Sequence, residues 1–248
     1  MDLEEKIFSE LDTKRFGVKV GKVTEEVLLI PNVMNKIRDL GFELLIARVE
    51  LKNIQLINRM ENDGFGLKDI QCTYYYNLED YDKNNNSFKE DGYIIREFKS
   101  TDTEELIKVA KECFDGYGHY FSNDRLDKDD CIEVYGDWTY NSCTNIKVAD
   151  KIFVSEFEGT PVGFLSFKIY TKGDKKYAAG GMGAVSPKHR GKSIFPRIVA
   201  KGLEWGVWAN LDWEEHNVIV NNKSVNRSFT KMGFKPDNFV TTMHCWLD

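Results

Sequence analysis

Between Ala184 and Phe195 the chain reads AVSPKHRGKSIF: an apolar run, a break at Pro187, a basic stretch around Gly191, then the start of an amphipathic segment. A strand that turns into a helix in this way can hold an anion. The first N–H groups of a helix have no partner within it, the helix end carries a partial positive charge, and Arg190 and Lys192 add two full ones. The amides of Arg190, Gly191, Lys192, Ser193 and Ile194 are therefore expected to surround a pyrophosphate. Gly191-Lys192-Ser193 invites comparison with the loop of nucleotide triphosphatases, but that pattern needs a glycine where Ser186 stands, and Pro187 removes a donor. Taken alone, the same residues also fit a solvated basic turn that only starts a helix.

Other chemistries find less support. The four histidines, His119, His189, His216 and His244, share no ligand spacing with one another or with cysteine, so no metal is expected. Cys72, Cys113, Cys131, Cys143 and Cys245 are an odd, scattered set without a C-x-x-C pair and read as reduced thiols. A net charge of −6 argues against a general nucleic-acid or membrane-surface binder. The acidic N-terminus is not a secretory signal, and the run VLLI before Pro31 is too short to span a bilayer, so a cytoplasmic protein is expected.

The elements that must position the loop follow from periodicity. Residues 80–92, DYDKNNNSFKEDG, read as a linker between an N-terminal α/β domain, 1–79, and a larger one, 93–248. In the second, GYIIREF is a strand, and Thr101 with Glu104 predicts a capping box for a helix that shows Leu106, Val109, Ala110 and Cys113 on one face. A helix is expected over Lys128 to Ser142, then a three-stranded meander that turns first at Glu158-Gly159. After the loop come a helix to about Trp208 with Ile194, Ile198 and Trp205 on one side, the strand HNVIV, a helix from Lys223 to Met232, and a last strand. The expected class is α/β: a mixed, mostly antiparallel sheet flanked by helices.

The first domain echoes the second. ARVELKNIQLINRMENDGF from Ala47 aligns without gaps on HNVIVNNKSVNRSFTKMGF from His216, at an offset of 169 that sets Asn53 on Asn222, Gly64 on Gly233 and Phe65 on Phe234. Each reads as strand, capping Asn, helix, left-handed Gly and strand. Nothing like Arg190-Gly191-Lys192-Ser193 accompanies the first, so it reads as a degenerate partial copy.

Val185, Pro187, Arg190 and Gly191, followed by Asn222, Gly233 and Phe234 in this order of elements, resemble the GNAT superfamily of acyl-CoA N-acyltransferases over roughly 93–247. The resemblance implies acetyl-CoA as donor, its pyrophosphate on the loop amides, its pantetheine arm along Ala184 and Val185 with Asn222 nearby, and strand amides around Gly183 facing the reacting carbonyl. Two residues depart from the family pattern: Phe195 stands where a small residue is usual and is expected to narrow the space beside the phosphates, and Phe229 stands where a proton-donating tyrosine is usual.

The acceptor side is expected from residues 114–142, where Tyr117, His119, Tyr120, Arg125, Asp127 and Trp138 combine flat rings with hydrogen-bonding groups. His119 and Tyr120 are candidate catalytic residues, and Tyr117, His119, Tyr120 and Gly183 candidate acceptor contacts; Tyr135 and Trp138 are expected in the core. This stretch resembles nucleotide-sugar N-acetyltransferases of the dTDP-fucosamine type, which implies a small-molecule amine as partner, with the chain a monomer or homodimer. Two other readings stay open: a non-catalytic acyl-CoA sensing module, and an interaction protein whose loop only caps a helix.

Overall fold

A computed structural model of the chain describes residues 2–82, 88 and 91–247. It is a mixed α/β protein whose sheet is mostly antiparallel and flanked by helices, as the periodicities predict. Two compact units are present, and they interleave along the sequence: Met1–Cys72, Gly116–Cys131 and Asn238–Asp248 form the first, Thr73–Asp115 and Ile132–Asp237 the second. Most of the expected linker lies outside the described residues; at its end Asp91 is held by a two-pronged Arg197 pair at 2.6 and 2.8 Å.

In the first unit, α1 (Leu3–Ile7), α2 (Glu10–Phe16), α3 (Glu25–Leu28), α4 (Val33–Asp39) and α5 (Ile54–Asn62) accompany β1 (Val20–Val23) and β2 (Leu44–Glu50). β3 (Gly66–Asn77) begins in this unit, and α7 (Gly118–Phe121) and most of β9 (Lys235–Trp246) belong to it. β2 pairs with β1 in parallel from Val20↔Leu44 to Val23↔Ala47, and with β9 antiparallel. Ile37, Leu45, Met60, Phe65 and Met243 make its core.

In the second unit the strand order is β8-β7-β6-β5-β4, built from β4 (Tyr93–Glu97), β5 (Lys151–Phe157), β6 (Thr160–Lys172), β7 (Lys175–Val185) and β8 (Trp213–Ile219). α6 (Thr103–Phe114), most of α8 (Lys128–Thr144), α9 (Ile194–Trp208) and α10 (Lys223–Lys231) flank it. β5 turns into β6 with Glu158 at φ 49° and Gly159 at φ 79°, the left-handed pair that matches strand twist in a two-residue hairpin. α6 starts one residue later than the Thr101 capping box predicts, with Asp102 rather than Thr101 at its N-cap. A 3-10 turn over Ser100–Asp102 precedes it, because Asp102 accepts the Lys99 amide at 2.8 Å and a forked Arg96 pair at 2.7 and 2.9 Å. Of the predicted face, Leu106, Val109 and Ala110 are buried, and Cys113 is half-buried.

Candidate functional site

The site begins where two strands part. β7 and β8 pair in parallel from Tyr177↔Trp213 only as far as Gly180↔His216, yet β8 continues to Ile219 and β7 to Val185. Along its other edge β7 stays paired with β6 up to Gly163↔Val185. The Ser186 amide donates to the Val162 carbonyl at 2.9 Å. In an antiparallel ladder this alternation commits Ala184 to Phe164 and turns the main-chain groups of Gly183 and Val185 to the open edge. Of the pair expected along a pantetheine arm, Val185 therefore has its peptide groups there, with Gly183; those of Ala184 face β6 and its side chain is buried. The Val185 carbonyl is already engaged, accepting from Cys113 Sγ at 3.1 Å and Arg190 Nε at 3.3 Å. Burial pushes the Cys113 thiol up from its ordinary value.

The loop follows. A 3-10 turn covers Pro187–His189, and the Arg190 amide closes it on the Pro187 carbonyl at 3.3 Å, so this amide, expected among the anion donors, is used by the turn. Gly191 takes φ 78°, and a side chain there would extend into open space. Ser193 caps α9 at φ 56° without a side-chain hydrogen bond, a left-handed residue of the kind that costs of order 1–3 kcal/mol and collects at functional sites. The first helical return bond is Arg197 N–H to Ser193 O at 3.2 Å, and Pro196 has no N–H to leave unsatisfied. The amides of Gly191, Lys192, Ser193, Ile194 and Phe195 thus have no main-chain acceptor among the described residues, and they stand in a row at the mouth of a helix. His189 braces the loop, 3.1 Å from the Tyr93 hydroxyl and packed against Phe157.

Beside this mouth lies a cleft of about 1010 Å³, lined by Ser193 and Pro196 of α9, by Tyr75 to Asn77, and by Lys223, Arg227 and Lys231 of α10. The three cations recur every fourth residue and so share one helical face. Sequence reasoning missed them because the net charge of −6 averages them away; the i, i+4, i+8 spacing was the available signal. Asn222 spends its side-chain oxygen on the Val225 amide at 3.2 Å, capping α10. Phe229 is buried, stacked on His216 at 4.6 Å and Tyr74 at 5.4 Å, and Phe195 lies edge-on to it at 5.7 Å. Apolar contact thus turns the Phe195 ring onto Phe229, which accounts for a bulky residue at that position.

The acceptor-side candidates Tyr117, His119 and Tyr120 belong to the first unit, whereas Gly183, Val185 and the loop belong to the second. His119 lies in α7, buried, with Nδ1 2.9 Å from His244 Nε2; His244 Nδ1 in turn meets Asn123 Nδ2 at 2.9 Å, and Trp246 Nε1 donates to Asn123 Oδ1 at 3.2 Å. Burial first, and then the field of His244, hold His119 well below the ordinary imidazole range. So weak a base is poorly suited to taking a proton from an amine. Tyr120 is buried with its hydroxyl on Asp12 at 3.2 Å, and desolvation pushes its ionisation far up. Tyr135 stacks on Phe114 at 4.4 Å in the core, as expected; Trp138, placed there with it, is 44% exposed on the outer face of α8.

The family described as "Acetyltransferase (GNAT) family" matches residues 104–234. No curated protein matches the chain. Among solved structures, the chain is similar to a tandem GNAT protein from the clavulanic acid biosynthesis pathway, determined without AcCoA, at 14% identity and a TM-score of 0.61, covering 86% of this chain and 67% of that one. It is also similar to a GCN5-related N-acetyltransferase from Kribbella flavida, at 11% identity and a TM-score of 0.60, covering 92% and 81%. A GCN5-related N-acetyltransferase from Sphaerobacter thermophilus gives 12% identity and a TM-score of 0.58, covering 85% of this chain and 64% of its own. The chain thus spans about two thirds of the first and third of these, and at such identities the likeness is one of fold.

Proposed function

We propose that this chain, which belongs to the GNAT acetyltransferase family, transfers an acetyl group from acetyl-CoA directly to the amine of a small-molecule acceptor. The observation that carries the reading is the parting of β7 and β8 beyond Gly180 and His216, which leaves the peptide groups of Gly183 and Val185 facing an open edge that leads to five amides with no main-chain acceptor among the described residues. A hydrogen bond to a charged group contributes about 1.5–3 kcal/mol, so a few of these donors hold a diphosphate at about millimolar to micromolar affinity. Lys223, Arg227 and Lys231 supply the charge for the remaining phosphate. The Val185 and Gly183 amides align the thioester and face the oxyanion that develops on attack. An amine of pKa near 8 is neutral in about one molecule in ten at pH 7, a penalty of only ~1.4 kcal/mol, so positioning matters more than a strong base.

Direct transfer is favoured over a covalent relay by the state of the nearest thiol. Cys113 donates to the Val185 carbonyl and burial keeps it protonated, the opposite of an activated nucleophile. Of the acceptor classes, a nucleotide-linked amino sugar remains part of the proposal on the sequence pattern of 114–142.

Titration with CoA tests the donor half. The wild-type chain is expected to gain thermal stability at hundreds of micromolar CoA, and Gly191→Ala, which sets a side chain on a left-handed backbone within the amide row, to bind at least about tenfold more weakly. Absence of stabilisation in the wild type would overturn the reading. A second reading, a module that binds acyl-CoA without turnover, draws on the hydroxyl-free Phe229; release of thiol from acetyl-CoA with any member of a panel of amino sugars, nucleotide-linked amino sugars and polyamines would exclude it.

A further inference from the structure

The second unit also holds a buried acid and imidazole. Glu214 and His216 lie on β8, 0% and 4% exposed, with Glu214 Oε1 2.7 Å from His216 Nε2. The second carboxylate oxygen, Oε2, is buried against Gly202 of α9 and has no hydrogen-bond partner among the described residues. Around the imidazole stand Phe167 from β6 at 5.9 Å, Phe229 from α10 at 4.6 Å and Phe234 at 5.5 Å. From β7 the neighbour is Gly180, where any side chain would collide with His216 Nδ1. Glu214 is the one titratable group among these contacts. A buried acid–imidazole pair is weak support for stability, and apolar residues of similar size often serve as well, so a pair inside an aromatic box calls for another explanation.

Position supplies it. Gly180↔His216 is the last rung before β7 and β8 separate, and Nδ1 packs over Gly180 at that rung, where the open edge begins. Burial raises the Glu214 carboxyl above its ordinary range, and its hydrogen bond to Nε2 orients the ring and leaves Nδ1 as the nitrogen that gives or takes a proton.

We propose that His216, positioned by Glu214, is the catalytic acid that protonates the departing thiolate. The proposal rests on the acyl-CoA reading. As the amine nitrogen bonds to the thioester carbon, the C–S bond breaks and its electron pair goes to sulfur. The Nδ1 proton passes to that sulfur to give the CoA thiol. The amine nitrogen releases one proton to water, and the neutral imidazole takes one back, so the books of charge and hydrogen close on amide and free thiol.

The test follows the imidazole by NMR through a pH titration of the full chain, saturated with CoA or with desulfo-CoA, which differs by the sulfur alone. The chain has four histidines, and the His216 signal is assigned by its loss in His216→Gln or, should that variant not fold, by elimination with single substitutions of the other three. With CoA the His216 midpoint is expected about one to three pH units higher than with desulfo-CoA, because a thiolate beside an imidazolium favours its charged form. Equal midpoints with both saturating ligands, or a ring that does not titrate in either, overturn the proposal and leave acyl-CoA binding intact. Failure of CoA to saturate the chain removes the acyl-CoA reading and this proposal together.

Discussion

Trp246 can only donate, and that settles the protons of four residues. Its indole fixes Asn123 Oδ1 as acceptor, so Asn123 Nδ2 donates to His244 Nδ1, and His244 donates from Nε2 to His119 Nδ1. Each imidazole is neutral, and burial holds His244 at about 3. The unfolded chain takes up a proton at this residue near pH 6.5, and the folded chain does not until about 3. Stability from this group is thus full above about 6.5 and lost as the pH falls from there towards 3. Between pH 7.5 and 5 the loss from His244 comes to about 2 kcal/mol. His244→Gln should show a correspondingly smaller difference between its urea midpoints at the two pH values, and an unchanged difference would contradict the argument. Sequence identified His119 and Tyr120 as groups able to do chemistry but gave no access to their surroundings, since His244 and Asp12 lie 125 and 108 residues away from them.

Helices and strands were legible to the extent that their signals were local. The Glu158-Gly159 hairpin and the α9 face of Ile194, Ile198 and Trp205 formed as their patterns predict. The start of α6 did not, because Arg96, on a neighbouring strand, rewards a carboxylate at 102 more than a local box rewards Thr101. Close approach is a matter of the same scale. A side chain at Gly202 of α9 would meet the fully buried Phe167 ring and come within 3.2 Å of Glu214 Oε2. Gly202→Ala gains helix propensity of about 1 kcal/mol and loses about 1–3 kcal/mol to overpacking, so a net fall in thermal midpoint is expected; a rise would show that Phe167 can yield.

The internal echo extends beyond the aligned residues. β2 spans Leu44–Glu50 and β8 spans Trp213–Ile219, the same seven residues at the offset of 169, and both open on a parallel rung, Val20↔Leu44 and Tyr177↔Trp213, of a four-rung pairing. Both following helices have nine residues and close alike: Phe65 N–H on Met60 O at 2.9 Å, Phe234 N–H on Phe229 O at 3.0 Å, after glycines at φ 95° and 90°. The offset revealed the repeat but not the ownership of strands. Asn238–Asp248 is counted with the first unit and Thr73–Asn77 with the second, a matter of non-local pairing that no local pattern encodes.

The two copies differ where β1 stops at Val23 and Thr24 caps α3 at once, its hydroxyl on the Val27 amide, whereas β7 runs on for five residues past its last rung with β8. That early stop predicts a stoichiometry. Calorimetry with CoA should return one equivalent per chain, and a second equivalent of comparable enthalpy would mean that the shorter strand can still open.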